Sequence, residues 1–239
     1  MNSNVQLEQF ESRKDLYIAV TSRCESHFNK TLQENKRASF IVPGGTTPAP
    51  VFKNLSRSTL DWKNISVALS DERWLTADHL QSNQKLIAET LLINNAKSAQ
   101  FVAMKNTSHT ALEGLQECCN DYKSLVQPFS LTMLGMGGDG HIASLFPDCK
   151  EIGKALDLNN KELCTSIDAS GCPVAGDFPE RMSLTLSAII NSQLIILLVT
   201  GEKKLDVINA AIEKYQPTVY PVSALLHQQN APVEIYWSK

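Results

Sequence analysis

Gln193 to Gly201, QLIILLVTG, is apolar on both faces over the length of a strand, so a sheet that contains it must be covered on each side. A parallel sheet flanked by helices meets that demand. Further strand-length apolar runs lie at Ser39 to Pro43, Ile65 to Ser70, Gln100 to Met104, Phe129 to Leu134 and Val233 to Trp237. Helices are predicted between them, over Glu11 to Lys36, Ser82 to Ile93, Ser108 to Val126, Glu202 to Lys214 and Val222 to His227. In the first of these, Leu16, Ala19, Val20, Arg23, His27 and Leu32 approximate one face. Leu163 to Ile167 reads as an additional strand, Cys172 to Pro179 as a loop, and RMSLTLSAII as a short strand or a helix start. The expected fold is α/β: residues 1–239 as one domain with an open, mostly parallel sheet flanked by helices.

Ligands of such sheets bind beyond the carboxyl ends of the strands, and the unusual sequences of this chain fall there. The most informative is LGMGGDGHIASLFP, Leu134 to Pro147. Gly135, Gly137, Gly138 and Gly140 permit positive φ or close approach of a ligand to the backbone, and a helix expected after them would direct amide donors and its dipole toward an anion. His141 sits on this turn, with Asp139 two residues before it, and histidine is suited to proton transfer near neutral pH. The spacing is neither a dinucleotide fingerprint nor a P-loop.

Three other segments share that rim. In PGGTTP, Thr46 or Thr47 is expected to cap the next helix with Pro48 in its first turn, and the backbone amides and both threonine hydroxyls of this loop can hold a phosphate or a sugar hydroxyl. Taken alone, an ordinary capped turn explains the hexapeptide equally well. SDERW sets Asp71 beside Arg73, whose planar fork suits a carboxylate, a carbonyl or a phosphate. GEKK places Lys203 and Lys204 where a helix begins, an unfavourable place for a cation unless an anion lies between it and the helix end. Arg181, in FPERMSLTL, precedes a strand or helix start. His27, His79, His109 and His227 lack any such setting and read as structural or surface residues.

Charge and cysteine usage narrow the function classes. A net charge of -3 with interleaved acids and bases gives no broad basic field for nucleic acid or an anionic membrane. No window approaches the ~18 apolar residues of a membrane span, and MNSNVQLEQFESRKD lacks the apolar core of a secretion signal. A cytoplasmic location is expected. The six cysteines form no C-x-x-C pair and have no regular histidine partner, so reduced packing thiols are expected and no metal.

In this order, PGGTTP, SDERW, LGMGGDGHIASLFP, PERMSLTL and TGEKK resemble the motifs of the 6-phosphogluconolactonase family, within the superfamily that also contains glucosamine-6-phosphate deaminase. The resemblance spans residues 43 to 204. It implies a Rossmann-like sugar-phosphate isomerase/lactonase fold and hydrolysis of 6-phospho-D-glucono-1,5-lactone without metal or cofactor, by a monomer or small homo-oligomer. It further implies that His141 is the general base, with Asp139 orienting it or binding substrate. Gly44, Gly45, Thr46, Arg181 and Lys204 would hold the phosphate or neighbouring hydroxyls, Arg73 would line the lactone end, and Asp71 would contact substrate.

The sequence departs from the lactonase pattern at Gly138, where proline is usual, and at Ile142, where threonine is usual. The deaminases carry Phe-Asn-Glu-Pro after the alanine; here Ser144, Leu145, Phe146 and Pro147 supply no carboxylate. Two other readings of the same residues are isomerisation with deamination, with Asp71 as base, and a non-catalytic sugar-phosphate sensor. The chain shows no basic helix-turn-helix segment of the kind that accompanies such sensors.

Overall fold

The computed structural model describes residues 4–239, so the first three residues of the expected domain lie outside the described residues. Along the chain run β1 (Val5–Phe10), α1 (Arg13–Asn35), β2 (Ala38–Val42), α2 (Ala49–Leu55), β3 (Ile65–Leu69), β4 (Asp71–Arg73), α3 (Asn83–Thr90), β5 (Gln100–Val102) and α4 (Ala111–Tyr122). They are followed by β6 (Leu131–Leu134), α5 (Ile152–Ala155), β7 (Cys164–Asp168), β8 (Glu180–Leu184), α6 (Leu186–Ile190), β9 (Ile195–Thr200), α7 (Glu202–Glu213), α8 (Val222–His227) and β10 (Val233–Ser238).

Seven strands form one sheet in the order β1-β10-β9-β6-β2-β3-β5, and every neighbouring pair is parallel. From β2 the chain moves outward to β3 and β5; from β6 it moves the other way, to β9 and β10. The carboxyl ends of β2 and β6 therefore flank a topological switch point, where a crevice opens because successive connections leave in opposite directions. Burial of every residue of β2 and β6 reflects helices on both faces.

Helix α1 lays Leu16, Val20, Cys24, Phe28 and Thr31 on the sheet, a stripe of near-fourfold spacing. The expected face began in the right place and drifted: Arg23 instead pairs with Glu234 on β10 at 2.7 Å, and His27 donates its Nε2 hydrogen to the Ser130 carbonyl. Phe40 of β2 sits between Phe28 and Phe52, edge-on to both, with centroids 5.1 and 6.4 Å away.

Four expectations need correction. Strand β1 was not anticipated, because VQLEQF is half polar and only Val5 of it is buried; it survives as the edge partner of β10. No helix follows the glycine-rich turn after β6: Gly140, Ala143 and Asp148 have left-handed φ of 78°, 49° and 63°, which a right-handed helix cannot contain. Neither Thr46 nor Thr47 caps α2; Pro48 holds the cap position without a side-chain bond. A second, antiparallel sheet, β4-β8-β7, was also missed. The chain enters it directly from β3 through Ser70, whose N–H donates to Val42 and whose carbonyl accepts from Leu184. RMSLTLSAII resolves as β8 followed by α6.

Replacing Phe40 by alanine should lower stability by about 3–5 kcal/mol, since the ring is fully buried between two helices and the cavity cannot collapse. Ile18→Ala, on the exposed face of α1, should stay within about 0.5 kcal/mol. Urea unfolding of both variants measures the difference.

Candidate active site

A cleft of about 350 Å³ opens at the switch point. Gly44, Gly45, Thr46, Asp71, Arg73, His141, Arg181 and Lys204 line it together, so five segments far apart in sequence meet at one rim. Asp139 lies behind the lining, bonded to His141. Of the GEKK pair, Lys204 lines the cleft and Lys203 does not. Thr47 and Ala143, from the expected loops, also line it, and Asn83, Met136, Phe146 and Val174 join the lining without having been anticipated.

The glycine-rich turn shapes the acid-base pair. His141 Nδ1 lies 2.6 Å from Asp139 Oδ1, and the backbone closes tightly around them, with the Gly137 N–H donating to the His141 carbonyl at 2.9 Å. A side chain at Gly137 would overlap the imidazole and the carboxylate, so glycine is required there. Burial works against the ionised Asp139, but the hydrogen bond and charge of His141 outweigh it and hold the carboxyl below its usual range. An ionised carboxylate only accepts, so Nδ1 carries the hydrogen in this contact. The ring rests against Phe146, centroids 4.5 Å apart.

The cationic wall is built by the small sheet. Arg73 and Arg181 stand directly opposite each other across β4 and β8. Like charges in that position repel, and neither arginine forms an ion pair with a carboxylate among the described residues. Neutral oxygens hold both: Arg181 donates Nε to the Phe178 carbonyl at 2.7 Å and Nη2 to the Ala175 carbonyl at 2.6 Å, while Arg73 donates Nη1 to Asn83 Oδ1 at 2.8 Å. Arg73 Nε is buried without a partner among the described residues. Burial draws the Arg181 pKa down, with Asp71 opposing.

Lys204, in the first turn of α7, reaches back across the rim to the Met136 carbonyl. Burial lowers its pKa, with Asp139 opposing. Asp71 is fixed by two hydroxyls, Ser70 Oγ at 2.9 Å and Ser144 Oγ at 2.6 Å. Glu72, its neighbour, turns away from the cleft and accepts from the N–H groups of Arg73, Asn83 and Gln84 and from Ser82 Oγ, which ties the start of α3 to β4. Among the described residues no group of three or more His, Cys, Asp or Glu side chains is placed to hold a metal ion, and no helix is long and apolar enough to cross a membrane.

Comparison with known proteins bears on this geometry. Residues 11–237 match the family model described as glucosamine-6-phosphate isomerases/6-phosphogluconolactonase. The chain is 35% identical to a 6-phosphogluconolactonase of Caulobacter vibrioides, covering 98% of each protein, and 33% identical to one of Xylella fastidiosa, covering 99% of this chain and 97% of that one. Its structure superposes on the crystal structure of a 6-phosphogluconolactonase from Shewanella baltica with a TM-score of 0.93, at 34% identity and full coverage of both chains.

Because the folded pKa of Asp139 lies below its unfolded value of about 3.9, the carboxylate adds stability above about pH 4 that disappears as the pH falls through the folded value. The stability gap between the unaltered protein and Asp139→Asn should therefore be widest near pH 5–6, above the unfolded value of about 3.9, and should shrink below that value. Urea titrations at a series of pH values from 3 to 6 read it directly.

Proposed function

The chain belongs to the glucosamine-6-phosphate isomerase/6-phosphogluconolactonase family, and on that premise we propose that it hydrolyses 6-phospho-D-glucono-1,5-lactone to 6-phospho-D-gluconate with His141 as general base on water. The observation that carries the proposal is the Asp139–His141 pair at 2.6 Å, set in a cleft whose other walls bear Arg73, Arg181 and Lys204. A base with a fixed tautomer and a set of cations without carboxylate partners are what an anionic ester requires.

In this reading the sugar phosphate is gripped by Arg181 and Lys204, with Gly44, Gly45 and Thr46 around the phosphate or its neighbouring hydroxyls. Thr46 is available for that role because it does not cap α2. The neutral imidazole takes a proton from water through Nε2 as the oxygen attacks C1. Negative charge passes to the carbonyl oxygen of the tetrahedral intermediate, where a guanidinium or N–H donor stabilises it. As the intermediate collapses, the C1–ring oxygen bond breaks and the imidazolium returns its proton to the departing oxygen. The acid product then ionises and releases one proton to solvent. Asp139 keeps the ring in register and stabilises its charged form.

Asp71 belongs to the substrate-contacting wall in this reading. Both its oxygens accept serine hydroxyls, which occupy the carboxylate and fix it in place, and this argues against its use in carbon deprotonation. The domain acts as one unit over residues 1–239, its partner is the small lactone, and the reaction belongs to the cytoplasm.

His141→Ala should fold and lose roughly 10²–10⁴ in kcat. Proton release from freshly generated 6-phosphogluconolactone follows it, and a variant that turns over near the parental rate removes His141 from the mechanism. The unphosphorylated lactone should be the poorer substrate of the unaltered protein, chiefly through KM.

A further inference from the structure

Asn83 is the first residue of α3, only 3% exposed, yet it lines the cleft. Its carboxamide spends both ends on the site. Nδ2 donates to the Asp71 carbonyl at 2.7 Å, and Oδ1 accepts from Arg73 Nη1 at 2.8 Å. Its position is itself fixed, since its N–H donates to the buried Glu72 carboxylate at 2.8 Å. Gly44 completes the enclosure: a Cβ there would overlap the Asn83 carboxamide, so the glycine loop after β2 is packed directly on it.

We infer that Asn83 is a positioning residue that holds the Arg73 guanidinium opposite Arg181 without neutralising it, so that Arg73 joins Arg181 and Lys204 on the phosphate of the substrate and does not line the lactone end, where the family resemblance would put it. The inference rests on the lactonase reading for the identity of the substrate. The oxygen that restrains Arg73 is neutral, where an aspartate would fit the same space and cancel the charge. Two guanidiniums facing each other across paired strands are mutually unfavourable until an anion lies between them. The restraint keeps Arg73 from turning away to relieve that repulsion. Gly44 acts through the same contact, because any side chain there pushes Asn83 off the arginine.

The test compares the unaltered protein with Asn83→Asp, which keeps size and shape, and with Asn83→Ala, which serves if the aspartate variant fails to fold. Two quantities are read: the dissociation constant for inorganic phosphate by calorimetry, and the ratio of kcat/KM for the phosphorylated over the unphosphorylated lactone. Loss of a charge-assisted contact predicts that Asn83→Asp weakens phosphate binding roughly 10- to 100-fold and lowers the ratio by a similar factor. Equal fall of kcat/KM on both lactones, or phosphate affinities that match the unaltered protein, overturns the inference. If the unaltered protein opens neither lactone, the lactonase reading fails by itself, and the phosphate titration still decides the role of Asn83.

Discussion

Where β2 and β6 lie side by side, the chain leaves their carboxyl ends in opposite directions, and the crevice between the two departures is where backbone from both halves of the sheet converges. Everything chemical in the molecule is arranged around that gap. The glycine loop after β2 forms one lip and the histidine turn after β6 the other. The continuation of β3 into β4 and the first turn of α7 bring the charged side chains to it. All neighbouring strands of the large sheet are parallel, so these four segments must emerge on the same side. With an antiparallel central strand, one of them would lie at the far end.

The electrostatics of the gap follow from how its charges are restrained. Desolvating a guanidinium is costly unless polar groups replace its water. Here carbonyl and carboxamide oxygens make that replacement for Arg181 and Arg73, so the charges stay in place and remain available to a ligand. The acid-base pair is treated differently: Asp139 is placed against His141 and its charge is spent on orienting one ring. The same cleft thus holds cations that are deliberately left without counter-charges and one histidine that is supplied with one.

Much of this was legible in the sequence. Apolar runs such as QLIILLVTG fix strand position because burial on both faces leaves no polar alternation, and Gly44, Arg73, His141, Arg181 and Lys204 stood out by residue type at strand ends. What escaped was set by tertiary context. Strand β1 has an edge partner and needs little apolar character. The turn after β6 stays out of helix because Ala143, a strong helix former, is held left-handed. Asn83 reads locally as an ordinary first residue of a helix capped by Ser82; its contact with Gly44 and Arg73 is made across gaps in sequence that carry no periodic signal.

The proposed base, His141, and the carboxylate hydrogen-bonded to it are separated by a single residue on one loop, whereas the arginines come from a different sheet and the lysine from a helix. Proton handling and anchoring of the ligand's tail are consequently mounted on independent supports. Divergence of the arginine strands can retune which tail is accepted while the imidazole keeps its alignment, and divergence of the loop can exchange the reaction while the anchor persists. A scaffold divided in this way is suited to hosting more than one chemistry on one kind of phosphorylated sugar.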